Sequence, residues 1–219
     1  MAFAWAQLHT NESRTMTDFD KEYYFLSRGN DEGMPSPTPF YETDEREYWR
    51  TPLDPDSPPL AFYNSGKRYN RKRGIKPMQF PPDVMFERDN LIVRKPLRDA
   101  LLQHNVAGIF THPAWYVHDD KSLHDDYHYI GFHKRFDCWD RELSEHSGQD
   151  EDADPTDREP NVWTFRLDAQ LLARTPLNER LLFVMGGCFL PQVVCHQILL
   201  PLFLGGENGG IHAARVDDD

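Results

Sequence analysis

A chain of 219 residues, 39% of them hydrophobic and 28 of them Trp, Tyr or Phe, is long enough for one sizeable domain and too rich in core-forming aromatics to be disordered. Its 36 acidic against 24 basic side chains give a formal charge of −12, which weighs against direct binding to nucleic acid. Cys138, Cys188 and Cys195 are an odd set without CxxC spacing, which argues against a disulfide framework and against a structural zinc site.

Residues 1–15 carry no clear pattern, and Met16 followed by TDFDKEYYFL reads as the more natural beginning. No positively charged, apolar leader is present, and the most apolar window, Leu181 to Leu204, is broken by Gly186, Gly187, Pro191 and Pro201. A soluble cytoplasmic protein with no membrane span is therefore expected. Tyr23–Leu26 predicts a short strand, Gly29–Pro39 a run of turns, Tyr41–Trp49 one or two acidic helical turns, and Leu60–Tyr63 another short strand. Thr51–Pro59 holds four prolines and excludes a regular element. Gly66–Lys76 follows as a loop with six basic residues and no acid. Residues 1–82 are thus expected to form an irregular, Pro-rich arm on a core made by 83–219.

The compact region opens with a strand at Asn90–Val93. Pro96–His104 predicts a helix, with Pro early in its first turn, Leu97, Leu101 and Leu102 on one face, and Gly108 as its stop. Ile109–Val117 reads as a strand. From Tyr127 the chain alternates: Tyr127, Tyr129, Gly131 and His133 on one side, His128, Ile130, Phe132 and Lys134 on the other, the period of a β-strand. Ser147–Pro160 is an acidic loop, Val162–Leu167 a strand, and Asp168 a cap for a short helix through Ala173. Leu181–Met185 predicts a buried strand, Pro191–Leu200 a core helix, and Ile211–Val216 a last strand. Two segments, around Leu91–Phe110 and Leu182–His212, share an order of strand, helix, glycine and strand. The whole is an α+β fold, a mixed and mostly antiparallel sheet covered by at least two helices.

Catalytic patterns are missing. There is no Gly-x-Ser-x-Gly, no His-Glu-x-x-His, and Gly205–Gly210 lacks the lysine of a phosphate-binding loop. Cys138 lies beside Asp137 and Asp140, which disfavour a thiolate. The doublets His118-Asp119-Asp120 and His124-Asp125-Asp126, with His128, leave a weak divalent-metal site as an alternative to a solvated acidic turn. From Val117 to Pro160 there are 14 acidic and 5 basic side chains, a concentration that favours a partner of opposite charge.

Asp137-Cys138-Trp139-Asp140 with Ser144-Glu145, preceded by the Tyr127/Tyr129 strand, resembles the Asp-Cys-x-Asp…Ser segment of a family of bacterial immunity proteins from polymorphic-toxin and type VI secretion loci. Leu91-Ile-Val…Leu97-Arg-Asp-Ala-Leu-Leu…Gly108-Ile-Phe and Leu182-Phe-Val…Gly210-Ile-His look like that family's two strand–helix–strand units. The likeness covers about Val84 to Val216, and Met185–Leu190 departs from it where a polar helix start would be usual.

What the resemblance implies is binding without catalysis, metal or cofactor: a cytoplasmic protein that blocks one cognate toxin encoded next door. The acidic surface fits a basic, cytoplasm-acting nuclease toxin, since carboxylates can stand in for phosphates. Asp119, Asp120, Asp125 and Asp126, together with Asp150, Glu151, Asp152 and Asp154, are then the candidate contacts, while Asp137, Cys138, Asp140 and Ser144 are structural. A homodimer remains open. The competing readings are a metal-dependent hydrolase using the His/Asp doublets and a non-enzymatic adaptor that docks through its basic loop.

Overall fold

The computed structural model describes residues 18–49, 51–147 and 159–218. The first two stretches form β1 (Tyr23–Arg28), β2 (Pro37–Pro39), α1 (Tyr41–Asp44), β3 (Leu60–Asn64), α2 (Lys67–Lys72), β4 (Val84–Glu87), β5 (Asn90–Arg94), α3 (Lys95–Gln103), β6 (Ile109–Val117), β7 (Leu123–Phe132), β8 (Arg135–Phe136) and β9 (Glu145–His146). The last forms β10 (Val162–Thr164), α4 (Ala169–Arg174), β11 (Leu182–Met185), β12 (Val193–His196), α5 (Leu200–Leu204) and β13 (Ile211–Arg215).

The fold is α+β, but its strands divide into two large sheets and a small ribbon. One sheet has the order β2-β3-β6-β7-β5-β4, the other β13-β1-β12-β11-β8, and β9 pairs with β10. All pairings are antiparallel except β3 with β6 and β8 with β11. Two sheets form because both faces of the central strands are apolar. Along β7, Tyr127 and Tyr129 enter one cluster with Tyr48, Phe62 and Tyr116, while Ile130 and Phe132 enter another with Leu91, Val93, Leu97 and Leu101. That second cluster also takes Leu182, Val184, Val193 and, from α5, Phe203. It is a shared core into which the two sheets, α3 and α5 all pack. A third cluster, with Phe25, Trp139, Phe165, Leu172, Phe183 and Val194, covers the far face of the five-stranded sheet.

The helices follow local chemistry. Leu97 and Leu101 of α3 are buried, but Leu102 is exposed and does not share their face; positions i and i+4 align on a helix, and i+5 turns away. Asn105, at positive φ (51°) directly after the last turn, ends α3 at Gln103; Gly108, expected as its stop, lies five residues further on and leads into β6. Asp168 caps α4 by accepting from the Gln170 and Leu171 amides at 3.0 and 2.9 Å.

Pro191–Leu200 corrects the expectation of a core helix. It forms β12, whose four residues are all buried, and helix begins only at Leu200. Val194 faces the third cluster and Val193 and Cys195 the shared core, so a continuous apolar run serves a strand covered on both faces. Pro37–Pro39, expected as turn, is a short edge strand, a place where a missing amide donor is tolerated. Gly66–Lys76, expected as a loop, contains α2. Residues 18–82 are irregular over 29–36, 51–59 and 73–82, yet β1 lies between β12 and β13 and β3 beside β6. This part of the chain is therefore built into both sheets.

The two halves do share a plan, one strand out of the register expected from sequence. The hairpin β4–β5, then α3, leads to β6, with β7 lying between β5 and β6. The hairpin β11–β12, then α5, leads to β13, with β1 lying between β12 and β13. The counterpart of Leu91–Val93 is Val193–Cys195, not Leu182–Val184.

Candidate binding surface

Strand alternation divides β6 cleanly. Phe110, His112, Ala114 and Tyr116 are buried, whereas Thr111, Pro113, Trp115 and Val117 point the other way. The parallel register aligns Ala61 with Trp115 and Tyr63 with Val117. On β7 and β5 this same face is covered by α3, whose Leu97 and Leu101 pack on Ile130, Leu91 and Val93. Over β3, β6 and the start of β7 it stays open: Tyr63, Trp115 and Leu123 are 37%, 40% and 57% exposed, and Phe40 packs against Tyr63 with ring centroids 4.9 Å apart. An aromatic, half-covered sheet face of this kind is a candidate interaction surface.

Carboxylates border it. The register runs from Ala114↔Tyr127 to Tyr116↔His124, so β7 carries one residue more than β6 over this interval. That bulge places Asp125 and Asp126 across from Trp115. Asp125 is exposed. Asp126 pairs with Arg94 at 2.5 and 2.7 Å, and the Arg94 guanidinium lies 4.2 Å from the Tyr127 ring centre. At the β6–β7 turn, Asp120 accepts from the Ser122 hydroxyl and amide at 2.6 and 2.8 Å, which hold its carboxyl below the usual range. Asp119 accepts from the Asn64 side-chain amide at 3.1 and 3.2 Å, and Lys67 donates to its carbonyl. Asn64 is buried and its oxygen accepts from the Ser36 and Gly66 amides, so one side chain ties the acidic turn to β2 and α2. The four described acidic candidates thus lie along one edge, and Asp126 is the one neutralised by an arginine.

Asp150, Glu151, Asp152 and Asp154 lie outside the described residues. The Asp137–Ser144 segment is a buttressed turn. Asp140 accepts from the Glu142 and Leu143 amides, Ser144 accepts from the Arg166 amide, and Arg141 pairs with Asp137 while lying over the Trp139 ring at 3.8 Å. Cys138 is buried 3.8 Å from the Met185 sulfur, and its desolvation pushes the thiol well above its usual range. These residues hold the chain against the stretch that joins β10 to α4, beside the third cluster.

The histidines disperse. His118 donates from Nε2 to the Met78 carbonyl at 2.9 Å, and His124 lies beside Ser122, with the two rings 6.1 Å apart. His128 faces α3, where desolvation first and Arg98 second lower its pKa to about 4. Among the described residues, no three His, Cys, Asp or Glu side chains converge as metal ligands.

Sequence reasoning missed Trp115, Tyr63 and Asn64. The available signal was the alternation of β6, which puts Pro113 and Trp115 on the face opposite Ala114 and Tyr116. Among the described residues no helix is long and apolar enough to cross a membrane. No protein-family model matches the chain, and no curated protein is significantly similar to it.

Proposed function

We propose that this protein is an immunity protein, which neutralises a cognate secreted bacterial toxin by covering it through protein–protein contact. The observation that carries the reading is the open aromatic face of β3 and β6 with its border of carboxylates. An apolar centre inside a charged rim is the anatomy of a specific interface. Aromatic anchors supply the affinity, and the rim charges speed encounter with an oppositely charged partner. The protein's charge of −12 makes that partner basic, and a nuclease that grips phosphates is the toxin class whose surface fits. The resemblance of the Asp137–Ser144 segment to immunity proteins supports the same reading, with those residues as scaffold.

The test is co-expression with the product of the adjacent gene, followed by affinity capture and growth with and without this protein. Capture together with rescued growth is the expected result. Trp115→Ala is expected to weaken the complex by roughly 30-fold, the size of an aromatic hot spot. Reversing Asp119, Asp120 and Asp125 to Lys is expected to slow association and to remove its salt dependence. A complex unchanged by both sets, in variants that melt like the parent, would overturn the assignment of this face.

A further inference from the structure

We propose that the cleft between α3 and α5 is a second contact site, which accepts a lysine or arginine side chain presented by a protein partner. It builds on the partner-binding role above but occupies a different place in the fold. The cleft holds about 530 Å³ and its lining is mostly apolar, with Leu97 and Ala100 from α3 and Leu202 and Phe203 from α5. Its rim carries Asp83, Asp126, Glu207 and Arg94.

The charges decide what it can hold. Three carboxylates oppose one guanidinium. Arg94 is committed to Asp126, lies 3.7 Å from Asp83, and stacks on Tyr127. The Asn208 donors of the loop after α5, which would otherwise attract an anion, are taken: Asp83 accepts from the Asn208 backbone at 2.8 Å and from its side chain at 3.3 Å. Gly206 makes this fit, because a Cβ there would sit 2.4 Å from the Asp83 carboxylate. Glu207 is exposed and has no hydrogen-bond or ion-pair partner among the described residues. The rim is therefore net negative, with its positive groups already satisfied. An anion is disfavoured and so is a purely apolar group, which would leave Glu207 and Asp126 partly desolvated. A lysine or arginine meets both demands, laying its methylene stem on the leucines with its charged head at the rim.

Position points to a macromolecular source for that cation. Asp126, on the cleft wall, is part of the bulge that faces Trp115, so the cleft and the open sheet face share this residue. A partner seated on the face can insert a basic side chain into the cleft.

The direct test titrates the full chain with acetylated, amidated tripeptides Leu-Arg-Leu, Leu-Lys-Leu, Leu-Leu-Leu and Leu-Glu-Leu, following the methyl signals of Leu97, Ala100 and Leu202 by NMR. The two cationic peptides are expected to give saturable shifts with dissociation constants of about 1 mM, the strength of a single anchored side chain. Glu207→Gln should weaken this by about threefold to fivefold, as for one exposed ion pair. Ala100→Phe, which fills the cleft and leaves its charges in place, should abolish it. Trp115→Ala should change nothing, so loss of the toxin complex and loss of peptide binding are separable. Equal binding of Leu-Leu-Leu, preference for Leu-Glu-Leu, or no saturable shift with either cationic peptide up to about 10 mM would each overturn the proposal. Saturation by free spermidine at concentrations well below those of the peptides would also overturn it, by making the site one for a small polyamine.

Discussion

Glu87 is the most exposed of this fold's internal compromises to experiment, although it is itself buried. Its side chain is 5% exposed at the end of β4, with Arg88 Nε 3.3 Å from one oxygen and the other oxygen buried without a hydrogen bond of good geometry. The Tyr48 and Tyr129 hydroxyls are in the same condition. Desolvation pushes the Glu87 carboxyl above its usual range, and Arg88 and Tyr48 offset only part of that. The folded state thus holds this proton more tightly than the unfolded chain. Between the unfolded and folded pKa values stability rises as pH falls, and at neutral pH the ionised carboxylate is a cost. Each unit of such a shift is worth about 1.4 kcal/mol. Glu87→Gln, which keeps the shape and removes the charge, should stabilise the protein at pH 7.5 by on the order of 1 kcal/mol, or roughly 2–4 °C in Tm for a chain of this size. Melts of both proteins across the acidic to neutral range should show the difference shrinking as pH drops through the folded pKa of Glu87. A variant that is less stable at neutral pH, or a difference that does not move with pH, would refute the reasoning.

Other consequences are open to the same kind of measurement. His128 behaves with opposite sign: its folded pKa of about 4 lies below the 6.5 of a free histidine, so stability falls as pH drops through that window. His128→Gln should flatten that part of the profile in melts compared at matched pH. Asp168→Ala removes the cap of α4 and should cost about 1 kcal/mol in urea unfolding, with Asp168→Asn close to neutral. Leu101→Ala empties a fully buried site in the shared core and should cost about 2–5 kcal/mol. Leu102→Ala, one residue on and half exposed, should stay within about 0.5 kcal/mol, which checks the orientation of α3.

Where structure depends on neighbours close in the chain, it was legible from sequence. The alternation from Tyr127 to Phe132 requires a strand, Asp168 ahead of an apolar run requires a helix start, and proline density excludes regular structure over 51–59. The α+β class follows from that same mixture of periods. Where one segment meets another far along the chain, the sequence alone was not enough. Pro191–Leu200 has apolar residues on every side, a pattern common to a buried helix and a doubly covered strand. Only the packing of Val194 on one core and Val193 on another selects the strand. Tyr23–Arg28 could be read as extended, but its place inside a sheet depends on β12 and β13, some 170 to 190 residues later. The candidate binding surface belongs to this second group. Local sequence makes Trp115 a strand residue on the face opposite Ala114. That it is open, while Ile130 on the same face is buried, depends on α3 covering β5 and β7 and leaving β3 and β6 bare. The cleft has the same origin: Leu97 belongs to an amphipathic helix and Phe203 to a short apolar one, and a concave site exists only because the two strand–helix–strand units bring those helices together.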